Sequence, residues 1–219
     1  MLKENKFVIW GTYCECKNEC SILQNEHHPW VDTEFTVKLK CNCCGKEITI
    51  DRKKAEEFYN NKIYSYYNSL YGNIVDLGCG DGFLSRFLIK QNKVEKIYGL
   101  DIDDACLYGV ADIIGEKFQF IQSDIKSIGS NFKDNNIDFL VSRDVFMFIE
   151  DTDRYFDDVT KIVSKGIRQM GWYIEDNVRM KNKLKPEQIA KEYIKRGWKV
   201  EMEYLDWYKY GYFIRANKV

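Results

Sequence analysis

The sequence predicts an α/β protein: a parallel sheet with helices on both faces, closed by an antiparallel hairpin and preceded by a small cysteine-rich β module. Three observations predict it. From residue 73 onward, short apolar runs alternate with amphipathic stretches of helical period, the pattern of strand–helix units laid side by side. Residues 74–82, Ile-Val-Asp-Leu-Gly-Cys-Gly-Asp-Gly, run an apolar strand into a glycine-dense turn that opens a helix. Toward the end of the chain, two β-prone runs (199–205 and 210–216) joined by a short turn form a hairpin signal.

The elements follow in order. Residues 35–40 alternate with period two and 47–51 are β-prone, so both read as strands of the N-terminal module. Residues 52–71 turn helical and aromatic, with Phe58, Tyr59, Ile63, Tyr66, Tyr67 and Leu70 near 3.6 spacing. Strands are expected at 73–78, 96–101, 117–122, 136–142 and 168–175, and helices at 83–91, 104–114, 153–164 and 186–196. Asp103 and Thr152 are the expected N-caps of the second and third of these helices. Pro186 suits a first helical turn, where its missing N–H costs little.

Composition bounds the function. The 219 residues allow one catalytic domain (55–219) with an appendage (1–54). A net charge of −1 provides no global field to recruit nucleic acid or an anionic membrane. The charged start of the chain has no signal-like apolar run. No stretch approaches the ~18 apolar residues of a membrane span. The expectation is a cytoplasmic protein that uses no membrane, and no protein partner is implied. Six of the eight cysteines lie within the first 44 residues, and in a reducing cytosol such a cluster reads as metal before disulfide.

The glycine turn carries most of the functional information. Gly78, Gly80 and Gly82 let backbone approach a ligand with no Cβ in the way. A loop at the C-terminal end of a parallel strand is where open α/β sheets bind nucleotide-like ligands. A dinucleotide turn would need G-x-G-x-x-G, whereas the third glycine here is residue 82 and residue 83 is Phe. A G-x-x-x-x-G-K-[ST] phosphate loop is absent. Two acidic residues, Asp76 and Asp81, suit a ligand with a cationic amino-acid end better than a pyrophosphate.

At these residues the chain resembles the class I S-adenosylmethionine (SAM)-dependent methyltransferases, whose first motif is E/D-x-G-x-G-x-G; Asp76, Gly78, Gly80 and Gly82 fit it. The resemblance spans roughly residues 55–219. It implies a seven-stranded Rossmann-like sheet of order 3-2-1-4-5-7-6 with the last strand antiparallel. It also implies a cofactor site. Asp101, at the tip of the second strand, matches the acidic residue that takes the ribose hydroxyls, and Ile102 offers an apolar wall to adenine. Asp124 and Ile125, at the third strand's exit, match the position that meets the adenine edge. Cys79 in the turn and Arg143 at the fourth strand's exit join these as cofactor-site candidates, and Phe146 or Met147 is expected to pack on the cofactor. Tyr59, Tyr66 and Tyr67 offer aromatic faces to a sulfonium, with core packing as the alternative for most of them.

Methyl transfer needs in-line positioning more than a dedicated base. The Asn/Asp-Pro-Pro-Tyr/Phe signature of the family's nucleobase-N and glutamine-N enzymes is absent, and Ser142-Arg143-Asp144-Val145 stands in its place. Asp144 and the His27-His28 pair are the candidate proton acceptors; for Asp144 a helix cap or an ion pair with Arg143 is the alternative.

The N-terminal segment contains Cys41-Asn-Cys-Cys44-Gly45, a C-x-x-C-G zinc-knuckle form between two strands. Cys41 and Cys44 are the expected ligands of a structural zinc, with two of Cys14, Cys16 and Cys20 completing four. A ~50-residue module has too little core to hold itself, and structural zinc contributes roughly 10–16 kcal/mol in small peptides. A zinc-ribbon-like start before such a domain is similar to the bacterial rRNA guanine-N1 methyltransferases, although their four-cysteine spacing is not reproduced. The basic run from Arg179 to Lys199 suits phosphates or, with Glu187 and Glu192 interspersed, a solvated face. Three readings follow: a methyltransferase of an unassigned, small-molecule acceptor; an rRNA or tRNA methyltransferase gripping RNA through the zinc module; and a non-catalytic SAM-binding regulator.

Overall fold

The computed structural model describes residues 20–25, 36–208 and 210–219. Its first sheet is antiparallel and three-stranded, in the order β1 (Cys20–Asn25), β2 (Thr36–Cys41), β3 (Glu47–Asp51). β2 falls where its alternation predicts, and β3 where its β-prone run does. β1 carried no local signal; its strand character comes from pairing with β2, which sets Cys20 opposite Cys41.

The expected single helix over 52–71 is broken. α1 (Arg52–Phe58) passes into a π-turn over Tyr59–Ile63 and a 3₁₀ turn over Tyr64–Tyr67. Ile63 and Tyr67, four positions apart, are both fully buried, so the change of pitch keeps the apolar face that the 3.6 spacing marks turned to the core. Tyr64 stacks on Phe87 with ring centroids 4.2 Å apart, and the Tyr67 hydroxyl donates to the Ser142 carbonyl at 2.8 Å.

The main sheet has seven strands: β4 (Gly72–Leu77), β5 (Val94–Asp101), β6 (Phe118–Gln122), β7 (Ile137–Arg143), β8 (Val163–Trp172), β9 (Trp198–Tyr204) and β10 (Gly211–Lys218). Their order is β6-β5-β4-β7-β8-β10-β9. β10 runs antiparallel to both neighbours, and the other pairs are parallel. This is the 3-2-1-4-5-7-6 sheet that the resemblance implied.

Period-two alternation splits the core between the two faces. Ile74, Phe139, Val141 and Phe213 join one cluster with Tyr67, Leu84 and Leu88, the last two from α2 (Phe83–Leu88). Their chain neighbours Val75, Leu140 and Ile214 join the other. There they meet Phe156, Val159 and Ile162 of α5 (Thr152–Ile162) and Ile189 and Tyr193 of α6 (Pro186–Lys195). Leu39 and Cys41 of the small sheet belong to the first cluster, so its buried residues pack with the main sheet's core. Short α3 (Cys106–Val110) and α4 (Ile128–Asn131) complete the crossovers.

Three expectations need correcting. The third expected helix does not reach 164, and the strand after it starts at Val163 rather than 168. The chain passes from α5 into β8 without a loop because Val163 already pairs with Ile137. The N-cap of α5 is Asp151, whose carboxylate accepts the Arg154 N–H at 3.2 Å, and Thr152 is the first helical residue. Pro186 does open α6. Asp103 is not the N-cap of α3: Ala105 holds that position without a side-chain cap, and Asp103 accepts the Ala105 N–H in the turn ahead of it. Among the described residues no helix is long and apolar enough to cross a membrane.

Tyr67→Phe leaves the Ser142 carbonyl short of a buried donor. It is expected to lower stability by about 1–2 kcal/mol, read as a shift in urea midpoint at constant slope.

Candidate active site

β4 ends at Leu77, and the next five residues must reverse direction within the sheet's C-terminal edge. Gly78, Gly80 and Gly82 all have positive φ, at +69°, +54° and +76°. Gly78 is constrained most tightly. A Cβ there would lie 2.2 Å from Cγ2 of Val145, which follows β7, the strand beside β4. The turn is pinned from β5 as well: the N–H groups of Gly78 and Cys79 donate to the Leu100 carbonyl at 2.8 and 3.0 Å.

The exits of β4, β5, β6 and β7 surround one cavity of about 830 Å³. This is near the top of the roughly 300–1,000 Å³ typical of small-molecule sites. It is lined by Asp76, Gly78, Cys79 and Gly80 of the turn, by Asp101 and Ile102, by Asp124 and Ile125, and by Arg143 and Asp144. The strand-tip and turn residues expected for the cofactor, together with Asp144, thus lie on one cavity.

Each carboxylate is held differently. Asp101 accepts the Gly80 N–H through Oδ2 at 3.0 Å and the Asp103 N–H through Oδ1 at 3.1 Å, so it ties its own loop to the glycine turn. A carboxylate has about four lone-pair sites, so both oxygens keep capacity for a ligand diol. Asp124 accepts the Lys126 N–H through Oδ1 at 2.9 Å, which is the turn role, and still faces the cavity. Ile102 is 66 % exposed, an apolar surface lying open in the cavity.

Asp76 is 2 % exposed and accepts the Ser85 hydroxyl at 2.6 Å. Burial, against the opposing help of that hydroxyl and with the Asp101 charge nearby, pushes its pKa up to about 7. Burial first, and then the Asp76 and Asp101 charges, drive the Cys79 thiol well above its ordinary range and favour its neutral form.

At the exit of β7, Arg143 and Asp144 are 8 % and 9 % exposed, with Nε and Oδ2 3.2 Å apart. Asp144 has φ +59°, an uncommon conformation that Asp tolerates better than most residues. Its Oδ1 accepts the Tyr208 hydroxyl at 2.7 Å, while its Oδ2 makes no hydrogen bond among the described residues. Burial raises its pKa, with Arg143 and then Tyr208 pulling the other way. Tyr208 is the residue that sequence reasoning missed. It sits in the β9–β10 turn, 64 positions from Asp144, with no local motif to mark it.

Other expectations fall outside the cavity. Phe146 and Met147 are core residues, with the Phe146 ring against Tyr155 and Phe156; Phe148, 47 % exposed, and Ile149 line the cavity instead. The 3₁₀ turn over Phe146–Phe148 makes that exchange. Tyr66 and Tyr67 pack in the core on Phe213, the alternative reading. The loop after β8 is tied down by Asn182, whose amide donates to the Phe146 and Ile149 carbonyls at 2.8 and 2.9 Å. Part of the basic run is paired with carboxylates: Lys181 faces Glu150, Lys185 faces Glu175, and Arg196 faces Asp157 and Glu192.

Of the cysteine candidates, Cys14 and Cys16 lie outside the described residues, as do His27 and His28. Cys41 is 2 % exposed and Cys44 is exposed, and Cys41 Sγ accepts the N–H groups of Cys43 and Cys44 at 3.4 and 3.5 Å. Among the described residues no group of three or more His, Cys, Asp or Glu is disposed to hold a metal.

Residues 75–168 match the family model described as a methyltransferase domain. No curated protein matches the chain. Three solved structures share the fold. One is a chain of the complex between the Haloferax volcanii Trm112 methyltransferase activator and a methyltransferase (15 % identity, TM-score 0.61, 74 % of this chain and 92 % of that one). Another is a SAM-dependent methyltransferase from Aquifex aeolicus (17 %, 0.56, 72 % and 87 %). The third is the [4+2]-cyclase SpnF (12 %, 0.58, 76 % and 82 %).

Asp76 predicts a pH-dependent penalty. Its folded pKa lies above the unfolded value of 3.8, so the native state binds the proton more tightly. Stability therefore falls as pH rises from about 4 to 7, and the penalty is complete above that. Asp76→Asn is expected to stabilise the ligand-free protein by about 2–4 kcal/mol at pH 8. That gain should fade as pH falls through 7 and vanish near 4, read by thermal unfolding across pH.

Proposed function

We propose that the chain is a SAM-dependent methyltransferase acting on a small molecule. The observation that carries this is the convergence of the glycine turn, Asp101 and Asp124 on one cavity from the exits of three adjacent parallel strands. The methyltransferase-domain match over those strands supports it. Because the fold also occurs in a cyclase, the reading rests on these residues rather than on the fold.

Bound SAM supplies a methyl group activated by a sulfonium. The chain's own residues hold and orient that ligand. Asp101 takes the ribose hydroxyls, Ile102 lies along the adenine, Asp124 and the Ile125 N–H meet its edge, and Asp76 with the turn's backbone faces the amino-acid end. A cationic ligand favours the Asp76 carboxylate, so binding below about pH 7 releases a proton.

The small-molecule reading is preferred to the RNA one, because Lys181, Lys185 and Arg196 of the basic run each face a carboxylate and the chain has a net charge of −1. We further propose that residues 1–54 form the cysteine module, packed on the main domain, and that Cys41 and Cys44, with two of Cys14, Cys16 and Cys20, hold a structural zinc. The paired N–H groups on Cys41 Sγ and the placement of Cys20 opposite Cys41 support it.

Calorimetry is expected to show SAM bound by the intact protein, at least tenfold more weakly by Asp101→Ala, with proton release that grows as pH drops from 8 to 6. Absence of SAM binding would sink the methyltransferase and regulator readings alike; binding with no acceptor methylated across broad screens would leave the regulator. Protein purified without chelator is expected to carry about one zinc per chain, lost in Cys41→Ser; metal-free wild type would remove the zinc site.

A further inference from the structure

The cavity's charge is lopsided in a way the cofactor does not explain. Among the described lining residues there are nine carboxylates and only three cations. Each of those cations already faces a carboxylate of the same wall: Lys126 meets Glu150 at 3.0 Å, Arg154 meets Asp158 at 3.6 Å, and Arg143 meets Asp144 at 3.2 Å. An anionic acceptor entering here finds no uncommitted positive charge and several negative ones. A cationic acceptor is drawn in, because a concave site of one sign focuses the field.

Asp144 gives that preference a place. It follows directly on the β7 exit, and its neighbour Val145 packs on Gly78, so it stands against the turn where the cofactor's amino-acid end is placed. One carboxylate oxygen is committed to Tyr208; the other faces Arg143 without a hydrogen bond, although the side chain is nine-tenths buried. Arg143 covers this oxygen at 3.2 Å without hydrogen-bond geometry, so part of its desolvation cost stands, and a donor that displaces the Arg143 contact recovers it.

We propose that the methyl acceptor is a small amine, and that Asp144 Oδ2 receives its N–H, with Tyr208 as the residue that positions Asp144. This rests on the methyltransferase reading above. The amine arrives as its ammonium ion, and one N–H proton passes to the Asp144 carboxylate at Oδ2, leaving a neutral amine and a neutral carboxyl. The freed nitrogen lone pair then forms the bond to the methyl carbon, and the electrons of the breaking carbon–sulfur bond remain on sulfur. Arg143 on β7, Tyr208 in the β9–β10 turn and Tyr212 on β10 are the titratable or charged groups that bear on Asp144. Burial keeps Tyr212 neutral, so Arg143 alone offsets the carboxylate's charge.

The test uses the full chain saturated with S-adenosylhomocysteine and matched probes in ligand-observed NMR: benzylamine, benzyl alcohol and benzoate, then putrescine, butanediol and succinate. The amines are expected to bind at least tenfold more tightly than the alcohols, and the carboxylates not detectably. Asp144→Asn, which keeps a residue tolerant of positive φ, is expected to weaken amine binding at least tenfold and to leave SAM affinity within threefold. With SAM added, the same variant should lower kcat/KM for amines at least 100-fold. Tyr208→Phe removes a donor that stabilises the carboxylate, so the acid limb of the pH–rate profile should move to higher pH, an effect that mere loosening of the turn does not produce. Equal binding of carboxylates, or amine binding unchanged in Asp144→Asn, overturns the proposal. If wild type fails to bind SAM, the methyltransferase reading falls and takes this one with it; if SAM binds and amines are not preferred, only this one falls.

Discussion

The site exists because residue 78 has no side chain. Val145 occupies the volume that a Cβ would need, so the turn after β4 and the exit of β7 close on each other in van der Waals contact. A larger residue at either end would push the two strand exits apart, and the cavity between them would lose its floor. The other tether, from the Asp101 carboxylate to the Gly80 N–H, draws the β5 exit to the same turn. Three neighbouring strands are thereby locked around a glycine loop whose Gly78, Cys79, Gly80 and Gly82 N–H groups are bonded before any ligand arrives. Such preorganisation reduces the ordering that binding must otherwise impose.

The same closeness creates an electrostatic debt. Asp76 and Asp144 are taken out of water with only partial compensation, and both are shifted toward their neutral forms by burial. A purely structural site would replace such groups with apolar ones, since an imperfectly matched buried charge lowers stability. Their concentration around one cavity is what a ligand carrying positive charge can relieve. The folded protein thus trades stability in the empty state for affinity in the filled one. The tyrosines behind the cavity, by contrast, are spent on structure: Tyr67 on the Ser142 carbonyl, and Tyr193 and Tyr212 on the two ends of the Gln169 amide.

Much of the site was legible because its key residues are local to strand tips. Asp76, the glycines, Asp101 and Asp124 each follow directly on an apolar run, and parallel strands place all such tips on one edge. What failed was detail that depends on rotation by a single residue. Phe146 and Met147 were expected in the cavity, but one 3₁₀ turn carries them into the core and presents Phe148. The cap of α5 moved from Thr152 to Asp151 for a similar reason, because the side chain that reaches the free N–H is decided by where the chain enters the helix. β1 and the break in the helix after residue 58 had no sequence signal, since both are imposed by what they pack against.

By itself the sequence determined the strand–helix alternation, the glycine turn and the carboxylates at the strand tips, because these follow from hydrophobic period and from residue types that only certain backbone geometries accept. The sheet order came from the resemblance those residues carry. Only the tertiary structure decided that Asp144 is buried against Arg143 and Tyr208, and that every cation lining the cavity is already matched by a carboxylate. Those partnerships join residues as far as 64 positions apart. Burial, and with it the pKa of a carboxylate, is a property of what surrounds a side chain in space, and local pattern along the chain does not contain it.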